Sequence, residues 1–220
     1  MHHVEFVQWL IHRLKKPLPG VSAQQRMSSP ARIHEWMKLG IPDHARPGAV
    51  LILFYPREEI VYLVLIQRPD YQGVHGGQIS FPGGKREKSD DSLIRTALRE
   101  SNEEIGINPE EVQIIGQLTP LYIPPSNYLV TPVVGYTGYP PSFLPDNKEV
   151  ASIIEIAFED LMQEGIIGHK TIRTSIGVFI DAPAFIVGPH VIWGATAMII
   201  SELLEITGEY RGLLFSDKTE

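Results

Sequence analysis

Hydrophobic and polar positions change their period along the chain, and each change predicts an element. Between Val4 and Lys16, Val7, Leu10, Ile11 and Leu14 fall at the spacing of one helix face. Arg13, Lys15 and Lys16 gather in the last turn, where the helix dipole favours cations, and Pro17, Pro19 and Gly20 end the helix. A second helix is expected from Ser29 to Leu39, with Ser29 as its cap, Pro30 in its first turn and Gly40 as its stop. From Gly48 the period shortens. Ala49–Tyr55 and Ile60–Ile66 are β-rich runs on either side of Pro56-Arg57-Glu58-Glu59, which predicts a hairpin. A glycine-dense loop from Gly73 to Gly84 leads into a helix from about Ser89 to Ile105, closed by Gly106 as its left-handed residue. Strands are expected at Val112–Leu118, Leu129–Gly135, Val150–Ile156, Ile176–Ile180 and Ala184–Val187, with a short acidic helix near Phe158–Gln163. A final helix is expected over Thr196–Ile206, with Gly208 as its stop. Strands mixed with two main helices predict an α/β fold whose sheet is covered on both faces. Residues 46–220 form that domain, and residues 1–45 form an N-terminal helical extension before it.

At 220 residues the chain is long enough to bury a sizeable core, and its apolar content is that of a globular protein. It contains no cysteine, which excludes disulfide frameworks, thiolate nucleophiles and Cys-bound zinc, and suits a reducing compartment. A formal net charge of −7 argues against nucleic acid and anionic membranes as partners. An anionic substrate would bind only where a metal or a local basic group reverses the field. Ala182 to Ser201 runs without Asp, Glu, Lys or Arg for a length that could span a bilayer. Pro183, Gly188, Pro189 and His190 interrupt it and its first half reads as a strand, so no membrane helix is expected. The N-terminus lacks the order of a signal peptide, and a cytoplasmic location is the expectation.

The helix expected to end at Ile105 carries the candidate chemistry. Ile94, Ala97, Leu98 and Ile105 give it one buried side. Glu100, Glu103 and Glu104, at i, i+3 and i+4, converge on a single patch. Like charges at that spacing cost about 0.2–0.5 kcal/mol per pair. Arg99 can pair with Glu103, yet one cation does not neutralise three carboxylates. A divalent cation does more, because Mg²⁺ takes hard oxygen ligands and completes its octahedron with waters and substrate phosphates. Most charge runs are solvated faces. The feature that favours a ligand set is the loop just upstream, Phe81-Pro82-Gly83-Gly84, whose glycines permit positive φ and close approach of backbone to a ligand. For either glycine alone, a plain tight turn is the simpler reading.

Gly84, Asp91 and the run Arg99-Glu100-Ser101-Asn102-Glu103-Glu104-Ile105-Gly106-Ile107 together resemble the Nudix box, G-x5-E-x7-R-E-U-x-E-E-x-G-U with U apolar. Six residues rather than five separate Gly84 from Asp91, the acid is Asp in place of Glu, and Ser101 occupies an apolar position. The resemblance implies an α/β/α sandwich with a mixed sheet, and a Mg²⁺- (or Mn²⁺-) dependent pyrophosphohydrolase. It implies Glu100 and Glu104 as the main metal ligands, Glu103 beside them, the Gly84 carbonyl as a further ligand, and Arg99 orienting the glutamates. A carboxylate must take a proton from the attacking water. Glu103 is the first candidate, so Glu103→Gln should abolish turnover. Glu149 is the second, because related enzymes often draw an acid from a distant loop; an ordinary charge before a strand is the other reading of it.

Leu65, Arg68, Gly77 and Phe81-Pro82-Gly83-Gly84 resemble the signature of the coenzyme A pyrophosphatase branch, L-L-T-x-R-[SA]-x3-R-x3-G-x3-F-P-G-G. Val64, Ile66 and Pro69 depart from it, and Gly73 stands in place of the second Arg, so phosphate binding would fall to Arg68, Lys85 or Arg86. The implied substrate is coenzyme A or an acyl ester, cut to 4′-phosphopantetheine (or its acyl form) and adenosine 3′,5′-bisphosphate. Arg68, His75, Gly77, Phe81, Gly83 and Lys85 are the substrate-binding candidates, although His75 also reads as a turn residue. ADP-ribose, a dinucleotide or an oxidised nucleotide is the alternative substrate, and a Nudix module that senses a nucleotide without cutting it is the alternative of another class. Nudix enzymes are often homodimers, and the front helices could supply the interface.

Other chemistries each lack a part. No Ser lies in G-x-S-x-G, so there is no nucleophile elbow near His75-Gly76-Gly77. Lys38 stands where His34-Glu35 would need a second zinc-binding His, and Arg86 replaces the Ser or Thr that ends a P-loop. Trp9, Trp36 and Trp193 read as core.

Overall fold

The structure, a computed structural model, describes residues 3–29, 40–70, 76–173, 177 and 179–216. Strand β1 (Arg46–Arg57) lies at the centre of the main sheet. It pairs antiparallel with β2 (Ile60–Gln67) across the expected hairpin, where Glu58 and Glu59 both take positive φ, 48° and 65°. That backbone is the one that matches the twist of two-residue hairpins. The two strands pair only near the turn, Phe54–Arg57 with Ile60–Leu63, and then splay. Beyond the split, β2 pairs with β3 (Ile79–Ser80) and β1 with β4 (Gly83–Lys85). Residues 78–85 therefore fill a wedge in the sheet, held by Leu51 N–H donating to the Pro82 carbonyl at 2.8 Å and Arg68 N–H to the Gln78 carbonyl at 3.0 Å.

On its other edge β1 runs parallel to β7 (Tyr128–Tyr136), which in turn pairs antiparallel with β5 (Gln113–Gln117) and β6 (Leu121–Ile123). β8 (Ser152–Ala157) closes the far edge of β2. One face of this mixed sheet, with Ala49, Leu51, Leu53, Val64, Ile66 and Val133, receives Ala97 and Ile105 of a helix spanning Leu93–Ile105. The opposite face, with Ile52, Phe54, Leu63, Leu65 and Val134, packs against α1 (His3–Arg13) and a helix spanning Gly194–Ser216. Burial on both faces explains why β1 and β2 read as unbroken apolar runs. The result is the expected α/β/α sandwich.

A short helix, α2 (Val21–Gln25), precedes the sheet, so the helices at Leu93–Ile105 and Gly194–Ser216 are α3 and α4. The helix expected from Ser29 to Leu39 lies, apart from Ser29, outside the described residues. The front segment is packed into the main core, since Phe6 and Leu10 are fully buried in the cluster that holds Phe54 and Phe158. Its apolar face is therefore occupied within the chain. A second, antiparallel sheet of β9 (Ile167–Arg173), β10 (Phe179–Val187) and β11 (His190–Trp193) precedes α4. The uncharged stretch Ala182–Ser201 is thus divided among two strands and a helix, and no helix among the described residues is long and apolar enough to cross a membrane.

Gly208 is a correction. It does not stop α4, which continues to Ser216. A glycine inside a helix costs roughly 1 kcal/mol. Contacts just beyond it offset that, because Glu209 receives two hydrogen bonds from Arg13, each 2.8 Å, and the Tyr210 ring packs against Phe6 and Trp9.

Candidate active site

Helix α3 begins at Leu93, a few residues later than expected, because Ser92 caps it by accepting a hydrogen bond from the Arg95 N–H at 3.2 Å. The residues left outside the helix turn Asp90 inward. Its carboxylate accepts bonds from the Glu87 N–H (2.9 Å), the Thr96 hydroxyl (3.0 Å) and two nitrogens of Arg99 (3.0 and 2.9 Å). Those bonds, from Arg99 first, hold the Asp90 carboxyl well below the usual carboxylate range. The acidic partner of Arg99 is thus Asp90, which corrects the assignment of that position to Asp91; Asp91 instead accepts a bond from Ser92. Leaving the motif's five residues after Gly84 would have found Asp90, and the extra residue falls between it and Arg99. Ser101, at an apolar position of the motif, is fully buried and its hydroxyl has no partner.

Arg99 links the cluster. Besides Asp90 it donates to the Lys85 carbonyl at 3.0 Å and pairs with Glu100 at 2.9 Å and Glu103 at 3.1 Å. The Glu100 carboxylate lies so close over Gly84 that a side chain at Gly84 would collide with it. Glu104 is almost fully buried and accepts the Gly83 N–H at 2.8 Å, with Arg68 at 3.5 Å from its other oxygen. Arg68 does not win the balance there. Burial pushes the Glu104 carboxyl up to about 7, against the pull of Arg68 and the Gly83 N–H, and the charges of Glu100 and Glu149 push the same way. Burial also raises Glu100, outweighing Arg99. Glu103 is different: its side chain is 56% exposed.

Several of these groups line a cleft of about 330 Å³. Arg68, Gly83, Gly84, Lys85, Glu100, Glu104 and Glu149 are among its lining residues, and so is Phe81. Glu103 and Gly77 are not among the lining residues; Gly77 shapes a turn at φ 68°, its N–H bonded to the Pro69 carbonyl. His75 lies outside the described residues. The rest of the cleft is largely apolar and was not foreseen. Ile123, Tyr128 and Val130 line it together with Ala195, Thr196 and Ile199 from the first turns of α4. The Arg46 guanidinium lies over the Tyr128 ring, 4.3 Å from its centroid. These residues come together only through the parallel β1–β7 pairing and the return of the chain's last helix, so no local pattern announces them.

The donor set suits a hard divalent cation. Glu100, Glu104 and Glu149 line the cleft as oxygen donors whose charges repel one another, and Gly84 lines it with them. Among the described residues no group of three or more His, Asp or Glu side chains is placed to hold a metal ion by itself. A partial set of this kind is what Mg²⁺ uses when waters and substrate phosphates supply the rest.

Comparison with known proteins agrees with this geometry. The NUDIX domain family matches residues 44–166. A protein of Yersinia pestis (strain Pestoides F), described as "Uncharacterized Nudix hydrolase NudL", is 37% identical over 171 residues, covering 73% of this chain and 79% of its own length. Its counterpart in Yersinia pseudotuberculosis serotype O:1b is equally similar. In fold, the chain is similar to RenU, a Nudix hydrolase from M. smegmatis, with TM-score 0.51 and 16% identity over 75% of this chain and 87% of that one. It is also similar to a MutT/nudix family protein from Enterococcus faecalis, with TM-score 0.50 and 14% identity over 84% and 72%. Nudix hydrolases generally use divalent metals such as Mg²⁺ and act on small nucleotide substrates. With Arg99 tied to Asp90, the α3 glutamates packed on the Gly83-Gly84 turn, and the family match over most of the sheet, this chain belongs to the Nudix hydrolases, enzymes that cleave pyrophosphate linkages.

Proposed function

We propose that the chain hydrolyses the diphosphate of a nucleoside diphosphate linked to a second group, with coenzyme A or an acyl-coenzyme A favoured, and that it needs Mg²⁺ or Mn²⁺. The observation that supports this best is the mixed lining of the cleft: carboxylates suited to a cation-bound diphosphate share it with apolar side chains that can take an organic group. A bound cation would supply neutralisation of the diphosphate oxygens and a more acidic water. Glu100 and Glu104 would hold it with the Gly84 carbonyl, while Arg99 keeps Glu100 in place from behind. Arg68 and Lys85 are the cleft cations that would meet phosphate oxygens, and Phe81 and Gly83 shape the wall beside them. Hydrolysis then separates the two phosphoryl groups by attack of water on one phosphorus, with a carboxylate taking the proton.

Glu149 is the better placed base, since it lines the cleft and its charge is felt by both Glu100 and Glu104. Glu103 is the second reading, supported by its place in the motif and its bond to Arg99. Glu149→Gln is expected to lower kcat by about 10²–10⁴-fold with the fold intact. A larger loss in Glu103→Gln than in Glu149→Gln would move the role to Glu103.

Substrate choice is tested by comparing kcat/KM for coenzyme A, an acyl-coenzyme A, ADP-ribose and NADH, each with Mg²⁺ and with Mn²⁺. Coenzyme A or its ester should rank first. If coenzyme A ranks last, the Gly73 departure from the signature outweighs the residues that match it. Binding of these nucleotides without turnover would favour the sensing module instead.

A further inference from the structure

Helix α4 carries a buried carboxylate that the chemistry above does not use. Glu202 is fully buried, on the helix face that also bears Ala195 and Ile199 of the cleft. One of its oxygens accepts the Gly20 N–H (3.1 Å), the Thr119 N–H (3.4 Å) and the Thr119 hydroxyl (2.6 Å); the other accepts the Gln24 side-chain amide (2.8 Å). The same Gln24 amide donates to the Thr119 carbonyl at 2.9 Å. These donors are all neutral. A buried carboxylate is costly to desolvate, and an apolar contact would join the same elements without that cost. What a carboxylate with four donors adds is a fixed distance and direction between the segments it joins.

Those segments lead to the cleft. Thr119 passes through Pro120 into β6 and the turn at Pro124–Ser126, which supply Ile123 and Ser126 to the cleft lining. On the other side α4 supplies Ala195, Thr196 and Ile199. Gly20 and Gln24 come from the front segment, and together with Glu202 they lie outside residues 44–166 that match the family. We propose that Glu202 is a positioning residue that fixes the apolar part of the cleft lining, by fastening the last helix to the loop before β6 and to the front segment. The proposal rests on that cleft being the nucleotide site. It gives the front segment a functional part: residues 20–24 hold the substrate wall in place without touching substrate.

The test uses the full chain with Thr119→Val, which removes the 2.6 Å bond at nearly constant shape, Thr119→Ser, which keeps it, and Glu202→Gln. Amide hydrogen exchange and steady-state kinetics are read together, with circular dichroism to confirm folding. Thr119→Val and Glu202→Gln should exchange faster at residues 121–128 and 194–199, with 93–105 unchanged. In the same variants KM for the best substrate should rise about tenfold while kcat stays within about threefold. Thr119→Ser should behave as wild type in both readings. Faster exchange confined to residues 20–25 and 119–120, or an unchanged KM where the walls have loosened, would overturn the proposal. If the wild type cleaves none of the nucleotides, the functional reading fails, and the exchange pattern alone still decides whether Glu202 holds the two walls. Should Glu202→Gln not fold, the Thr119 pair decides.

Discussion

Asp90 shows how much one side chain can set. It is buried, it accepts bonds from backbone, hydroxyl and guanidinium, and it holds Arg99 where that residue can reach Glu100, Glu103 and the Lys85 carbonyl. Its carboxyl is held below the usual range, so the folded protein binds its proton less tightly than the unfolded chain does. The stability it contributes is therefore present in full above the unfolded value of about 3.9, and is lost as pH falls below that toward the depressed folded value. Urea midpoints measured against pH should show Asp90→Asn destabilised at neutral pH, with the gap to wild type narrowing below about pH 4. A gap that does not change with pH would mean that the Asp90–Arg99 contact works by shape alone. Asp90 was legible in principle, with five residues between it and Gly84, but the motif fits Asp91 equally well when counted back from Arg99. Only the fold says which acid points inward.

At the scale of elements, the wedge between β1 and β2 joins backbone and chemistry. Two glycines in β4 do different work there. Gly83 has φ 147°, and a side chain on it would collide with the Ala49 carbonyl and the Val50 backbone, neither of which can rotate away. Gly83→Ala should destabilise the protein by about 2–4 kcal/mol, read as a shift of the urea midpoint with unchanged slope. A side chain on Gly84 would meet only the end of the Glu100 side chain, which can move. Gly84→Ala should therefore keep most of the stability and lose activity, because Glu100 is displaced. Equal loss of stability in both variants would show that Glu100 is held rigidly. The glycines stood out in the sequence as a loop that lets backbone approach a ligand. Their closest approach is to a carboxylate and to a neighbouring strand, and pairing between strands distant in sequence decided that.

For the molecule as a whole, the proposed cation site would couple folding to cation binding. Glu104, its carboxyl pushed up to about 7, binds a proton more tightly in the folded than in the unfolded chain. Its contribution to stability thus falls as pH rises from about 4.5 to 7, and the cost of the buried charge is fully present above that. Without added metal, Glu104→Gln should lack this downward slope of Tm with pH. Adding Mg²⁺ or Mn²⁺ should raise the wild-type Tm at pH 8 more than at pH 6, since deprotonated Glu104 binds the cation better; a metal-independent Tm at both values would count against Glu104 as a ligand. The sequence by itself determined the Nudix helix, the hairpin, the double-sided sheet and the acidic patch, because each depends on spacing within one element and on local backbone preferences. Only the tertiary structure decided that Glu149 lines the cleft while the exposed Glu103 does not, that α4 runs past Gly208, and that the first turns of the last helix join Ile123, Tyr128 and Val130 in the cleft lining. Those outcomes depend on contacts between residues far apart in the chain, and a contact of that kind leaves no period or motif in the residues that make it.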